Sequence, residues 1–162
     1  MEKYDQLKLS NQLCFPLYAA ARKIVNAYTP LFRDLGLTYT QYIVFMVLWE
    51  EDGLPVGTLC RRLFLDSGTL TPLLKKMEAQ GWIQRKRSET DERVVEVFLT
   101  EAGWQMRERV AEIPAAVASC ISLSPDQAKE LYVLLYDVLG ENPGNAGADE
   151  LPVTEGNRSK TE

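Results

Sequence analysis

The sequence predicts a mainly α-helical chain with one small β-hairpin, an α+β arrangement. Three observations carry that prediction. Apolar residues recur at three- and four-residue steps through most of the chain, as in Leu9, Leu13, Leu17, Ala20, Ile24 and Tyr28, which is the spacing of a helix face. The period changes only after Trp82, where residues 82–86 and 94–99 read as strands around a charged tip at 87–93. The 162 residues, 46% of them hydrophobic, suffice for a core without staples.

In the first helix a second stripe, Cys14, Tyr18, Ala21, Val25 and Tyr28, runs beside the first, so two coverings are expected, one of them a second subunit. Pro16 implies that the regular helix either begins near that residue or kinks there. Residues 29–35 form a short helix ending at Gly36, and residues 40–49 a buried one. Residues 55–64, with proline in the first turn and Val56, Leu59 and Leu63 at helical spacing, form the next. After a break at 65–68, Leu70, Leu73, Leu74 and Met77 give an apolar face that Gly81 terminates. Local propensity starts this helix at Thr71-Pro72, although Asp66 or Ser67 would cap an earlier start. Past the hairpin, a helix opens at Thr100-Glu101 and runs to about Ser119 with an interruption or bend at Pro114. Ser124-Pro125 opens the last one, to Leu139, with Leu131, Leu134, Leu135 and Val138 inward. Residues 141–162, rich in Gly, Pro, Asn and acidic groups, read as a disordered acidic tail.

Composition excludes whole classes of function. There is no histidine, which removes Ser-His catalysis and imidazole metal sites, and no metal or cofactor is expected. Cys14, Cys60 and Cys120 are odd in number and widely spaced, unlike a disulfide framework or a zinc site. No apolar run is long enough to cross a bilayer and residues 1–11 lack a signal-peptide profile, so a cytoplasmic protein with no membrane partner is expected. The net charge of −5 hides one positive segment, residues 56–93, with eight basic against five acidic groups, a net +3.

That segment holds helix, break, helix and hairpin in succession, the order of a winged helix-turn-helix, whose second helix enters the major groove of DNA while the hairpin reaches the flanking backbone or minor groove. Ser67, Thr69 and Thr71 with Lys75 and Lys76 suit phosphate and base-edge contacts, and Arg85, Lys86, Arg87 and Arg93 suit the wing. Ordinary solvated charge is the plainer reading of the same residues. The other constellation is Cys14 with Tyr18 one helical turn on, where a phenol can donate to a thiolate and a helix start near Pro16 would favour an anion. By spacing alone, a cysteine on an apolar stripe is more often core.

Four strings, LCFPLYA at 13–19, LTYTQY at 37–42, LDSGTLTPLLKKME at 65–78 and RKRSETDER at 85–93, resemble the MarR family and, within it, the OhrR branch of organic-hydroperoxide-sensing repressors. The likeness runs from about residue 7 to 140. It implies one winged helix-turn-helix domain over 1–140, with 40–99 as the DNA-binding lobe and 7–35 and 101–140 as dimerisation helices, acting as a homodimer on double-stranded DNA at a pseudo-palindromic operator. Ser67, Thr69, Thr71, Pro72, Lys75 and Lys76 then fall on a recognition helix that starts before Thr71. In the wing signature Arg93 would reach the minor groove and Asp91 would brace the wing through a salt bridge. Cys14 matches the family's redox-sensing cysteine, and Tyr18, Tyr28 and Tyr39 match tyrosines that support its thiolate, partly across the dimer. Cys120 falls about where two-cysteine members carry the resolving cysteine, whereas Cys60 reads as packing. Pro16 departs from the family pattern. The resemblance implies a repressor released by an organic hydroperoxide and no enzyme. The rival expectation is a MarR-type regulator released by a reversibly bound aromatic ligand, with Cys14 incidental.

Overall fold

The computed structural model describes residues 4–141, and they fall into two compact units, 29–111 and the segments 4–28 with 112–141. The expected acidic tail lies outside the described residues beyond its first position. Two short 3-10 turns precede α1 (Cys14–Phe32). Cys14 is the first residue of α1 and Pro16 sits in its first turn, where no hydrogen-bonded N–H is lost. The short helix expected at 29–35 does not exist as such: α1 continues through Pro30 to Phe32, and only Arg33–Leu35 forms a separate 3-10 turn, closed by Gly36 in the left-handed conformation.

The unit at 29–111 holds nearly all the buried apolar side chains. Helix α2 (Tyr39–Glu50) starts at a capping box, in which the Thr38 hydroxyl accepts from the Gln41 N–H while the Gln41 side chain accepts from the Thr38 N–H. Its Val44, Phe45 and Leu48 are fully buried. Next comes a strand that sequence periodicity missed, β1 (Leu54–Pro55), then α3 (Val56–Leu63) and α4 (Ser67–Ala79). Phe64 ends α3 at φ 52°, in the left-handed region, and three residues separate α3 from α4. Asp66 caps α4, accepting from the Thr69 N–H at 2.9 Å and the Thr69 hydroxyl at 2.7 Å. The helix therefore starts before Thr71, and Thr71-Pro72 lies inside it, correcting the local reading and agreeing with the family's.

The wing strands are β2 (Ile83–Arg87) and β3 (Val95–Leu99), paired from Ile83 opposite Leu99 to Arg87 opposite Val95. With β1 antiparallel to β3, Leu54 opposite Val97, they make a three-stranded sheet in the order β1-β3-β2 rather than an isolated hairpin. Two residues suffice for β1 because Asp52, just before it, accepts from the Leu99 N–H at 2.8 Å and fixes the root of β3. Helix α5 (Glu101–Val110) is capped by Thr100, whose hydroxyl also donates to the Gly81 carbonyl at 2.6 Å.

The long helix expected from 101 to 119 is two, since α6 (Ile113–Ala118) is separate, with Pro114 in its first turn. Cys120 therefore lies in the turn beyond α6, exposed, rather than near the end of a long helix. Helix α7 (Pro125–Leu139) begins at a Ser124–Gln127 capping box. Its apolar residues, expected inward, are not covered by the described residues: no α7 residue is buried, and Val138 is 67% exposed. Leu13, Phe15 and Tyr18 at the start of α1 are likewise exposed. Among the described residues no helix is long and apolar enough to cross a membrane.

Candidate nucleic-acid interface and cysteine site

The α3–turn–α4 pair with the β2–β3 wing has the element order of a winged helix-turn-helix. Burial of Leu70, Leu74 and Met77 against the core turns the opposite side of α4 outward, so Ser67, Thr69, Pro72, Lys75 and Lys76 are exposed and Thr71 is half-buried. Asp66 is held below the usual carboxylate range by the Thr69 hydroxyl and N–H. It stays charged at neutral pH at the positive end of α4, and the Ser67–Thr71 end of the helix is thereby set in register.

The wing's basic residues differ in availability. Lys86 and Arg87 are exposed, with the Lys86 ammonium 5.2 Å from the centre of the Phe98 ring. Arg93 is 91% exposed and makes a two-pronged bond to Asp91, Nε to Oδ1 and Nη2 to Oδ2, both 3.0 Å, while its N–H donates to the same carboxylate. The Arg93 bonds hold Asp91 below its ordinary value. This pair folds the tip back on itself and aims a guanidinium outward.

Arg85, expected to face DNA, is engaged elsewhere. Its Nε and Nη2 donate to Glu78 Oε2 at 3.0 and 2.6 Å, and its N–H donates to Glu78 Oε1 at 3.0 Å. The pair ties the last turn of α4 to the first strand of the wing. Sequence reasoning missed Glu78, although a helix, a Gly81 turn and a returning strand place residues seven apart in sequence beside each other. Between α3, α4 and the wing opens a cavity of about 380 Å³, lined in part by Pro55, Thr58, Arg61, Thr71 and Arg93.

Arg85 holds the Glu78 carboxyl below its ordinary value, its side-chain hydrogen bonds being the larger cause. A depressed carboxylate pKa contributes stability that is present above the unfolded value and lost as pH falls through the folded one. Glu78→Gln should therefore lower the melting temperature near neutral pH by about 2–4 °C, corresponding to roughly 1 kcal/mol for a partly exposed two-pronged pair. The gap to wild type should narrow as the pH falls below the ordinary glutamate value of about 4.3. Melting curves across pH check this, and a pH-independent gap would refute it.

The cysteine site is laid out along α1. Cys14 opens the helix, exposed, and Tyr18 follows one turn on, its hydroxyl accepting from Arg22 Nη1 at 3.4 Å. Tyr28 is half-buried farther along the same helix. Tyr39 is the first residue of α2, and burial raises its phenol pKa, so the group stays protonated and able to donate. Its ring lies 6.3 Å from that of Tyr42, which lies 5.1 Å from Phe32. Cys120 is exposed and belongs to the same compact unit as Cys14, while Cys60 is half-buried within α3.

The family model of SarA/Rot transcriptional regulators matches residues 26–110. The organic hydroperoxide resistance transcriptional regulator of Bacillus subtilis strain 168 is 47% identical over 137 residues, covering 85% of this chain and 93% of that protein. The HTH-type transcriptional regulator TtmR of Methylorubrum extorquens is 43% identical over 154 residues, 95% of this chain and 79% of that protein. Among solved structures, reduced AbfR bound to DNA matches with a TM-score of 0.69 at 37% identity, over 84% of this chain and 96% of that one. AbfR is a protein of Staphylococcus epidermidis.

Proposed function

This chain belongs to the MarR family of winged helix-turn-helix regulators, in the organic-hydroperoxide-responsive branch, and from that premise we propose how its residues carry the function. It is a DNA-binding transcriptional repressor that leaves its operator when Cys14 is oxidised. The observation that carries the residue assignment is the placement of Cys14 as the exposed first residue of α1 with Tyr18 one turn on, in a chain whose 29–111 unit is a winged helix-turn-helix.

The protein works as a homodimer. The uncovered apolar faces of α7 and of the start of α1 are what a second copy buries, and two recognition helices about one turn of B-DNA apart read the two halves of a pseudo-palindromic operator. On each α4, Ser67, Thr69, Thr71, Pro72, Lys75 and Lys76 meet the major groove, and Lys86, Arg87 and Arg93 meet the backbone or minor groove. Arg85 holds α4 to the wing instead of touching DNA. The regulator acts in the cytoplasm, where thiols are kept reduced.

In the switch, the Cys14 thiolate, supported by Tyr18, Tyr28 and Tyr39, attacks the outer oxygen of an organic hydroperoxide. The O–O bond breaks, the alkoxide leaves and takes up a proton to become the alcohol, and Cys14 becomes a sulfenic acid. The thiol of Cys120 from the partner subunit then displaces water from that sulfur and a disulfide forms. The two thiols are oxidised by two electrons and the peroxide is reduced by two. Loss of the thiolate charge removes the tyrosines' acceptor, and the dimerisation helices repack so that the recognition helices no longer fit. The protein is a sensor and not an enzyme: each Cys14 consumes about one peroxide before a reductant resets it.

The test uses a duplex selected by the reduced protein from a random library. Treatment with one equivalent of cumene hydroperoxide should release it, and dithiothreitol, not dialysis, should restore binding. Non-reducing electrophoresis should show a covalent dimer in the wild type and none in Cys120→Ser. A monomer carrying one added oxygen would make Cys14 a single-cysteine sensor, and an unmodified protein would overturn the reading.

A further inference from the structure

Among the described residues Gln41 and Ser88 are the buried polar side chains, and Gln41 is 1% exposed. A core keeps a primary amide only when its hydrogen-bonding groups are engaged. The Oε1 of Gln41 accepts from the Thr38 N–H at 3.0 Å and from the Thr38 hydroxyl at 3.1 Å, completing the cap of α2. Glutamate would serve that cap equally well, so the cap does not explain why the residue is glutamine. The amide nitrogen does: Nε2 donates at 3.1 Å to Oε1 of Gln80, the residue that closes the recognition helix α4. A side chain fixed at the start of α2 thus grips the end of α4, 39 residues on in sequence.

Two neighbours give this bond mechanical meaning. Tyr39, two residues before Gln41, begins the same helix. Glu78, two residues before Gln80, is clamped to Arg85 of β2, so α4 and the wing move together. A displacement at the start of α2 has a direct side-chain route into the end of α4, and through Glu78 into the wing.

We propose that the Gln41–Gln80 hydrogen bond is the joint through which oxidation at the cysteine site reaches the recognition helix, Gln41 and Gln80 being positioning residues of the switch. This rests on the reading that Tyr39 supports the Cys14 thiolate. When that acceptor is lost the start of α2 shifts, and Gln41 carries α4 out of register with DNA. Spatial adjacency alone does not establish coupling, so the test measures coupling itself.

Gln80 is exposed and can be changed without a cavity. Gln80→Ala and the near-isosteric Gln80→Met remove the acceptor, and Gln80→Glu keeps it. For each, affinity for the selected duplex is measured before and after cumene hydroperoxide, with Cys14 oxidation followed by intact mass and folding by thermal melting. Coupling between linked sites is typically about 5–150-fold, and the joint predicts that the loss on oxidation shrinks by at least about 5-fold in Gln80→Ala and Gln80→Met. Gln80→Glu should show the wild-type loss. A residue that is only structural would lower the melting temperature and weaken both redox states alike, leaving their ratio unchanged. The inference is overturned if Gln80→Ala or Gln80→Met, oxidised as fully as the wild type, releases DNA as fully, or if Gln80→Glu behaves like Gln80→Ala. If the wild type itself keeps its duplex after oxidation, the functional reading fails and the inference with it, a result distinguishable from failure of the joint alone.

Discussion

Cys14→Ser should bind the selected duplex as the wild type does and should ignore organic hydroperoxide. The substitution replaces sulfur by oxygen and keeps the shape of the side chain, so the packing around the start of α1 is conserved. Serine is also well suited to the start of a helix, where its oxygen can accept from an early N–H. Reduced affinity and melting temperature should therefore stay within ordinary surface-mutation limits of about 0.5 kcal/mol. What disappears is the nucleophile, because a hydroxyl is not ionised at neutral pH and has no counterpart of the sulfenic acid. The loss of affinity on oxidation, about 5–150-fold for a coupling of 1–3 kcal/mol, should fall to none. Fluorescence anisotropy with and without cumene hydroperoxide measures it. If Cys14→Ser still releases DNA on treatment, the sensor is another group, and exposed Cys120 becomes the first to examine.

The sequence's legible parts were those in which local chemistry and tertiary packing agree. The strand runs of β2 and β3, the Ser124-Pro125 start of α7 and the helix-ending glycines at 36 and 81 all follow from the residues at hand. Thr71-Pro72 resembles a helix start, yet it lies inside a helix already under way, α4 being started earlier by Asp66 and its two bonds to Thr69. Strand β1 was missed because two residues carry no periodicity; it exists through its pairing with β3. The α7 stripe has the periodicity of an inward face, but periodicity reports only that a face is apolar and not what covers it.

Residues of the candidate site divide in the same way. Exposed cations can be chosen from the sequence, but which of them are engaged internally cannot, as Arg85 and Glu78 show. Gln41 gave no signal beyond its capping box with Thr38, because its bond to Gln80 depends on α2 and α4 meeting in space. Tyr18 follows from its spacing to Cys14 and Tyr28 and Tyr39 from the resemblance, while the partial burial that raises the Tyr39 phenol depends on the packing of α2.

Gly103→Ala should strongly destabilise the 29–111 unit. On helix propensity alone alanine would stabilise α5 by up to about 1 kcal/mol. A methyl here, however, would be driven into the backbone carbonyl of Trp82, well inside van der Waals contact, and would also stand 3.0 Å from Leu99 Cδ2. Neither backbone can give way cheaply. The Trp82 carbonyl accepts from the Thr100 N–H at 3.0 Å. The Gly103 N–H donates to the Thr100 hydroxyl at 3.2 Å, and that hydroxyl is itself bonded to Gly81. The Gly103 carbonyl accepts from the indole N–H of Trp49 at 3.1 Å. Overpacking a fixed site typically costs about 1–3 kcal/mol and here falls at the upper end, so a net loss of about 2 kcal/mol and a fall of about 4–8 °C in melting temperature are expected. Because the indole of Trp49 is held by the same residue, its fluorescence should change as well. Gly57→Ala is the control: it also lies in a helix, and its added methyl meets nothing within 4 Å, so it should be neutral or stabilising. Should Gly103→Ala melt at or above the wild-type temperature, the junction of α2, α5 and the root of the wing is softer than these bonds imply. The register of the wing against α4 would then rest on the Glu78–Arg85 pair and on the Trp82 N–H bond to the Met77 carbonyl.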